Sequence, residues 1–149
     1  MLEDEWHIVE PSEGTVELVE AINLLLPQLS QRAPLLTLER LAEFLAAPST
    51  HLFVAANRQG KIGGMLTLVV FPILTGRRAW VEDVVVDVSS RGEGLGRLLT
   101  EGALRVAQEL GVATVDLTSR PSRVAAHRLY ESAGFGVRDT SVYRFVVEA

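Results

Sequence analysis

Apolar positions along this chain recur with two different periods. Early in the sequence, Val19, Ile22 and Leu26 follow the three- and four-residue spacing of an amphipathic helix. Later, short apolar runs bounded by turn residues have the length and composition of strands. The pattern predicts strands at residues 6–9, 51–56, 61–71, 79–88 and 112–118, and helices at 15–29, 38–46 and 94–110.

Cap and turn residues set the ends of these elements. Thr37 is predicted to be the N-cap of the second helix, and Gly111 to end the third. Ser122 is predicted to cap a fourth helix that ends at Gly134, and residues 136–147 to form one or two antiparallel strands. Alternating strands and helices indicate an α/β (α+β layered) domain, a mixed sheet with helices on both faces.

Composition excludes several classes of protein. A length of 149 residues fits one domain, predicted to cover residues 1–149. The chain has no cysteine, and its three histidines lack metal-ligand spacing, so no metal is expected. Its longest apolar stretch, residues 63–74, is interrupted by Pro72 and is too short to span a membrane. With a pI near 5.2 and no readable signal peptide, we expect a cytoplasmic protein that binds neither nucleic acid nor membrane.

A glycine-rich segment follows the valine-rich strand and opens the third helix. Glycines there let backbone N–H groups converge beside a helix N-terminus, which is how proteins bind phosphate groups. A dinucleotide fingerprint starting at Gly92 and Gly94 would require glycine at Arg97. A P-loop would require a lysine there, and the only lysine of the chain is Lys61. The segment therefore predicts a phosphorylated cofactor of another kind.

The remaining pattern, Arg-x-x-Gly-x-Gly at Arg91, Gly94 and Gly96, resembles the loop with which the GNAT (Gcn5-related N-acetyltransferase) superfamily binds the pyrophosphate of acetyl-CoA. Residues 120–135 resemble a second motif of that family, a helix with Ala-x-x-Leu-Tyr-Glu closed by Gly-Phe. We expect the resemblance to cover the whole chain. It implies a mostly antiparallel sheet, acetyl-CoA as co-substrate and no metal.

The resemblance also implies which residues contact the co-substrate. The valine strand is expected to hold the thioester and pantetheine through its backbone, and the glycine loop to hold the diphosphate. Arg123 stands where many members carry an asparagine that meets the pantetheine arm. The predicted cofactor-binding set is Val84, Val85, Val86, Arg91, Gly92, Glu93, Gly94, Leu95, Gly96, Arg97 and Arg123.

Two catalytic roles follow from the same resemblance. Tyr130, on the fourth helix, is expected to protonate the departing thiolate, since an ordinary phenol is protonated at neutral pH. Glu82 is expected to accept the amine proton, with Asp83 or a water relay as alternatives. Neighbouring strand residues point to opposite faces, so only one of the two carboxylates can face the acceptor unless a bulge intervenes.

These observations predict an N-acetyltransferase that moves acetyl directly to a primary amine, because no cysteine is available for an acyl-enzyme. The alternatives are a noncatalytic acyl-CoA-binding regulatory module, a fold-only interaction domain, and an enzyme that uses a longer acyl-CoA. The acceptor, a small molecule or a peptide, is expected to bind between residues 28–36 and 134–142. The sequence selects no particular amine, and it leaves a homodimer open.

Overall fold

A computed structural model describes residues 5–148. Over that range the chain forms five strands and four α-helices, with a short 3-10 turn at Val88–Ser90. The strands are β1 (His7–Val9), β2 (Thr50–Ala56), β3 (Ile62–Ile73), β4 (Gly76–Val86) and β5 (Thr114–Asp116). The helices are α1 (Val16–Leu29), α2 (Leu38–Ala46), α3 (Leu95–Glu109) and α4 (Val124–Ser132).

The strands form one sheet in the order β1-β2-β3-β4-β5. The first four strands pair antiparallel with their neighbours. β5 joins β4 in parallel through three residue pairs, from Arg78 with Thr114 to Trp80 with Asp116. The predicted mixed, mostly antiparallel sheet is confirmed.

Two apolar clusters attach helices to opposite faces of the sheet. On one face, α1 and α2 bury leucine and isoleucine side chains at helical spacing against strands β2, β3 and β4. On the other face, α3 buries leucine and alanine side chains against the same three strands, and α4 packs beside α3. The fully buried side chains at the centre of the second face include Leu66, Leu68, Leu95 and Leu99.

Local capping chemistry explains the helix ends. The Thr37 hydroxyl accepts the backbone N–H of Arg40 at 3.2 Å, which confirms the predicted N-cap of α2. Gly111 follows the end of α3 with a φ of 72°, the left-handed conformation that favours glycine. The prediction that Ser122 caps α4 is wrong. Arg123 occupies that N-cap, and no side-chain cap bond forms there.

The predicted C-terminal strands are absent from the described part of the chain. Residues 136–148 adopt no strand conformation, and β5 is shorter than the predicted 112–118. The C-terminal residues have strand-forming side chains, but a strand also needs a neighbour to pair with, and the structure describes none beside them. Within residues 5–148 no helix has both the length and the apolar character needed to cross a membrane.

We expect Leu99→Ala to lower the free energy of unfolding by about 2–5 kcal/mol, because it removes a fully buried side chain from the α3 face. Leu24→Ala is the matched control, since Leu24 is 75% exposed on α1, and its effect should stay within about 0.5 kcal/mol. Urea denaturation followed by tryptophan fluorescence measures both. Equal losses would contradict the assigned core.

Candidate active site

A bulge interrupts β4 near its C-terminal end. Thr67 of β3 pairs with Glu82, but Met65 pairs with Val85, so Asp83 and Val84 together stand opposite one β3 residue. Asp83 has a φ of 53°, and within residues 5–148 it is the one non-glycine residue with a positive φ. Aspartate tolerates this left-handed conformation better than most residues, at a cost of about 1–2 kcal/mol.

The bulge occurs just beyond the last pair between β4 and β5, at Trp80. From Val81 to Val86, β4 therefore pairs with β3 on one side and with no strand among the described residues on the other. Val84 and Val86 pack toward the α3 face, whereas Val85 is buried on the α1 face. Their backbone lies along the opening between β4 and β5, where an extended ligand can pair with the unpaired edge.

Both candidate bases are exposed residues beside this opening. Glu82 keeps the regular strand register, whereas Asp83 sits in the bulge. Although Asp83 as a residue is exposed, enough protein surrounds its carboxyl group that burial raises its pKa. A raised pKa makes Asp83 a stronger base than an ordinary aspartate. In a regular strand, the Glu82 and Asp83 side chains would point to opposite faces of the sheet. Because the bulge interrupts this alternation, both carboxylates can face one site.

The glycine loop leads directly into α3. Gly92 and Gly94 have φ values of 85° and 80°, so both need glycine for conformational reasons. A Cβ built on either would meet no atom within 4 Å, and the space above the loop is open to a ligand. Gly94 is the N-cap of α3 and offers no side chain to its free N–H groups. The loop therefore fits a bound phosphate group.

Gly96 and Arg97, which were predicted to bind the cofactor, connect helices α3 and α4. A Cβ on Gly96 would lie 3.0 Å from a methyl group of Leu129, so this glycine lets α3 and α4 pack closely. The Arg97 guanidinium donates to Glu101 at 2.8 Å and to the Ser132 hydroxyl at 2.9 Å. The Arg97 side chain thus connects the two helices. Its backbone N–H is the group that remains to contact a ligand at the loop.

Side chains distant in sequence hold the turn that precedes the loop. The Gln28 amide of α1 donates to Asp87 at 2.8 Å and accepts the Val88 N–H at 2.9 Å. Ser89 donates to Asp87 and accepts from Lys61 at 3.1 Å. The hydrogen bonds from Ser89 and Gln28, together with the Lys61 charge, lower the pKa of Asp87. The sequence analysis assigned Gln28 to a segment that borders the acceptor site, and it did not predict the hydrogen bond between Gln28 and Asp87.

Ser90 was also missed. It is buried directly before Arg91, and within the described range its hydroxyl has no hydrogen-bond partner. A buried hydroxyl without a partner is uncommon and identifies a polar group available beside the loop. No sequence pattern signals it, because serine is more often exposed. Arg91 itself is exposed, and its Nε lies 3.4 Å from the Val86 carbonyl oxygen.

Tyr130 is buried on α4 and packs edge-on against Phe135, with ring centroids 5.8 Å apart. Burial raises the pKa of its phenol, and the positive charge of Arg123 acts in the opposite direction. Arg123, predicted as a cofactor contact, therefore lies near enough to Tyr130 to influence its titration. The phenol is protonated at neutral pH and can donate a proton.

An open groove of about 990 Å³ adjoins Tyr130. Trp80, His127 and β5 line it together with segment 134–142, one of the two segments predicted to shape the acceptor site. Neither Glu82 nor the loop residues 91–97 are among the lining residues. The structure thus brings Tyr130 to the groove and the carboxylates to the strand edge, and it does not unite them in one cavity.

Comparison with known proteins is consistent with this architecture. The model of the acetyltransferase (GNAT) family matches residues 18–135. Because this match covers more than half of the sequence, the chain belongs to the GNAT acetyltransferase family, a family of acyltransferase enzymes. The resemblance inferred from the two sequence motifs is confirmed.

Individual relatives agree with the family and the fold. The N-acetyltransferase family 8 member 3 of Rattus norvegicus is 30% identical over 104 residues, which are 69% of this chain and 46% of that protein. A solved acetyltransferase from Trypanosoma brucei is 26% identical with a TM-score of 0.72, covering 95% of this chain and 99% of that one. An aminoglycoside acetyltransferase from a soil metagenome, 18% identical, shares the fold with a TM-score of 0.85 over 100% of both chains. The chain spans less than half the length of the curated relatives it matches.

We expect Asp83→Asn to stabilise the protein increasingly as pH rises. Burial places the folded-state pKa above the unfolded value near 3.8, so the native protein holds the proton more tightly. The stability contributed by this group is full below the unfolded pKa and is lost as pH rises through the folded pKa. The advantage of the variant in urea denaturation should therefore grow as pH rises above about 4 and level off once the pH exceeds the folded-state pKa. An advantage that stays constant with pH would contradict the burial of this carboxylate.

Proposed function

We propose that this chain is an acetyl-CoA-dependent N-acetyltransferase that moves an acetyl group directly to a primary amine. The proposal rests on two backbone features that follow one another along the chain, the free edge of β4 and the glycine loop. The unpaired edge of β4 leads into a loop whose Gly92 and Gly94 are left-handed, open and followed by an uncapped helix N-terminus. Acetyl-CoA has the matching order of parts, an extended pantetheine arm joined to a diphosphate.

In the proposed reaction, the neutral amine attacks the thioester carbonyl carbon. The developing oxyanion is stabilised by backbone N–H groups at Val84–Val86, where side chains offer no polar donor. The carbon–sulfur bond then breaks, and coenzyme A leaves as the thiolate. The nitrogen loses its proton to Glu82, to Asp83 or to water, and the product is an amide.

The thiolate takes its proton from the Tyr130 phenol. Because burial raises the pKa of this phenol, it stays protonated until the sulfur leaves. The nearby Arg123 guanidinium stabilises the phenolate that remains, which makes the transfer less unfavourable. Solvent reached through the groove then returns a proton to Tyr130.

The acceptor is proposed to be an amine of a small molecule or a peptide that enters through the groove beside Tyr130. The groove mixes apolar and polar groups, among them Trp80, Arg138, Thr140 and Ser141, and this lining favours no single amine class. The rat relative is named for N-acetyl transfer and the metagenomic structure for aminoglycosides, so amines of several sizes belong in the test.

Binding is tested by titrating acetyl-CoA into the protein and into two alanine variants. Gly94→Ala and Gly111→Ala replace glycines with φ values of 80° and 72°, neither with an atom within 4 Å of the new Cβ. Their backbone strain is therefore matched, and only Gly94 lies in the loop. We expect Gly94→Ala to weaken binding by about 10-fold or more, with Gly111→Ala close to wild type. Equal effects would contradict the loop as the diphosphate site.

Catalysis is tested by thiol release from acetyl-CoA with polyamines, aminoglycosides, amino sugars, amino acids and lysine peptides. With the best amine, we expect Tyr130→Phe to lower kcat by about 100-fold, in keeping with loss of a general acid. Tyr143→Phe is the control, since the other tyrosine of the chain is exposed. Binding without turnover on any amine or longer acyl-CoA would indicate a regulatory module. An unchanged rate in Tyr130→Phe would remove that residue from the mechanism.

A further inference from the structure

One exposed glutamine of α1 uses its whole amide group on hydrogen bonds within the protein. Gln28 donates from Nε2 to Asp87 at 2.8 Å and to the Leu24 carbonyl oxygen at 3.1 Å, and its Oε1 accepts the Val88 N–H at 2.9 Å. Both N–H groups and the carbonyl oxygen of the amide thus have partners. Because holding a long exposed side chain in one position costs conformational entropy, three simultaneous bonds indicate a defined role for this position.

Asp87 is the acceptor at the centre of these contacts. Its carboxylate also accepts the Ser89 hydroxyl, which in turn accepts from Lys61 at 3.1 Å. These hydrogen bonds and the Lys61 charge lower the pKa of Asp87, so it carries a negative charge at neutral pH. A negative charge in the turn before a loop that fits phosphate is electrostatically unfavourable for an anionic ligand. The donors around Asp87 offset this charge, and they indicate that the carboxylate serves as an anchor.

The backbone of Asp87 connects this anchor with the glycine loop. Its N–H donates to the Gly63 carbonyl oxygen of β3 at 2.8 Å, and its own carbonyl oxygen accepts the Ser90 N–H at 2.8 Å. Ser90 is buried, and Arg91 at the start of the loop follows it directly. The backbone of the turn is therefore held by β3, and its side chain by α1. If the side-chain anchor were lost, the turn could rotate and change the direction of the N–H groups at residues 91–96.

We propose that Gln28 is a positioning residue for acetyl-CoA, whose amide anchors Asp87 and so orients the glycine loop for the diphosphate. This inference rests on the proposed function. A loop whose N–H groups are already oriented binds its ligand more tightly, because less conformational entropy is lost on binding. Gln28 acts through the turn at residues 87–90 and does not contact the reacting atoms. It should therefore change the affinity for acetyl-CoA and leave the chemical step nearly unchanged.

Exchanging the two polar groups tests the anchor. Gln28→Glu places a second carboxylate against Asp87, and we expect it to raise the Kd of acetyl-CoA at least about 10-fold at about pH 8. Adding Asp87→Asn reverses the pair, because the new amide can donate to the introduced carboxylate, which still accepts the Val88 N–H. We expect this double variant to bind within about 3-fold of wild type. Calorimetric titration with acetyl-CoA measures each Kd and the fraction of protein that binds.

The pH dependence of the single variant gives a second readout. In Gln28→Glu the two carboxyl groups can share one proton at lower pH, which restores a hydrogen bond between them. The ratio of its Kd to that of wild type should therefore fall as pH is lowered from about 8 to about 6. Lys61 is the charged group that faces Asp87, and it is present in every variant. Gln108→Glu is the control, since it adds the same charge at an exposed position of α3 and should bind like wild type at each pH.

Kinetics separates positioning from general support of the fold. With the best amine, Gln28→Glu should raise the KM for acetyl-CoA and keep kcat at saturation within about 2-fold of wild type. A variant that merely folds less well would instead lower the fraction of protein that binds, with an unchanged Kd. That result, or a double variant no better than Gln28→Glu alone, would overturn the inference. Wild-type protein that fails to bind acetyl-CoA would overturn the proposed function as well.

Discussion

The separation of β4 from β5 is the constraint on which the candidate site depends. Parallel pairing between these strands ends at Trp80, and the bulge at Asp83 follows three residues later. If the two strands stayed paired to the end of β4, the backbone at Val84–Val86 would be hydrogen-bonded within the sheet. The opening supplies an unpaired edge, and the bulge at Asp83 breaks the alternation that would point the Glu82 and Asp83 carboxylates to opposite faces. The left-handed backbone of Asp83 costs about 1–2 kcal/mol, and this strained residue lies at the candidate site.

Both helical layers contribute to the loop that follows β4. From the α1 face, Gln28 holds Asp87 and Val88, while Gly96 and Arg97 bring α3 against α4 on the other face. The loop between them is left with open space above Gly92 and Gly94. Rigid supports with an open surface are what a backbone phosphate site requires, because its N–H groups are already oriented before a ligand binds. The proposed function follows from that arrangement.

Local chemistry in the sequence was sufficient for much of the fold and for the position of the loop. The Thr37 cap and the Gly111 helix end depend on a few neighbouring residues, so they could be predicted. The bulge at Asp83 depends on register with β3, and the Gln28 to Asp87 bond joins residues 59 positions apart, so no local pattern contains them. Residues 136–147 have strand composition but no partner strand within the described chain, which explains why that prediction was wrong. The roles of Tyr130 and Glu82, the single domain and the cytoplasmic location stay predictions.

The most direct measurement of the diphosphate site is an amide-resolved NMR titration with coenzyme A and with acetyl-CoA. If the loop amides bind the diphosphate, both ligands will cause their largest amide shifts at residues 91–96, and shifts at 84–86 will accompany them along the β4 edge. Pantetheine, which lacks the diphosphate, will leave the loop signals in place. Saturable binding with unshifted loop amides, or shifts confined to another surface, would contradict the central claim.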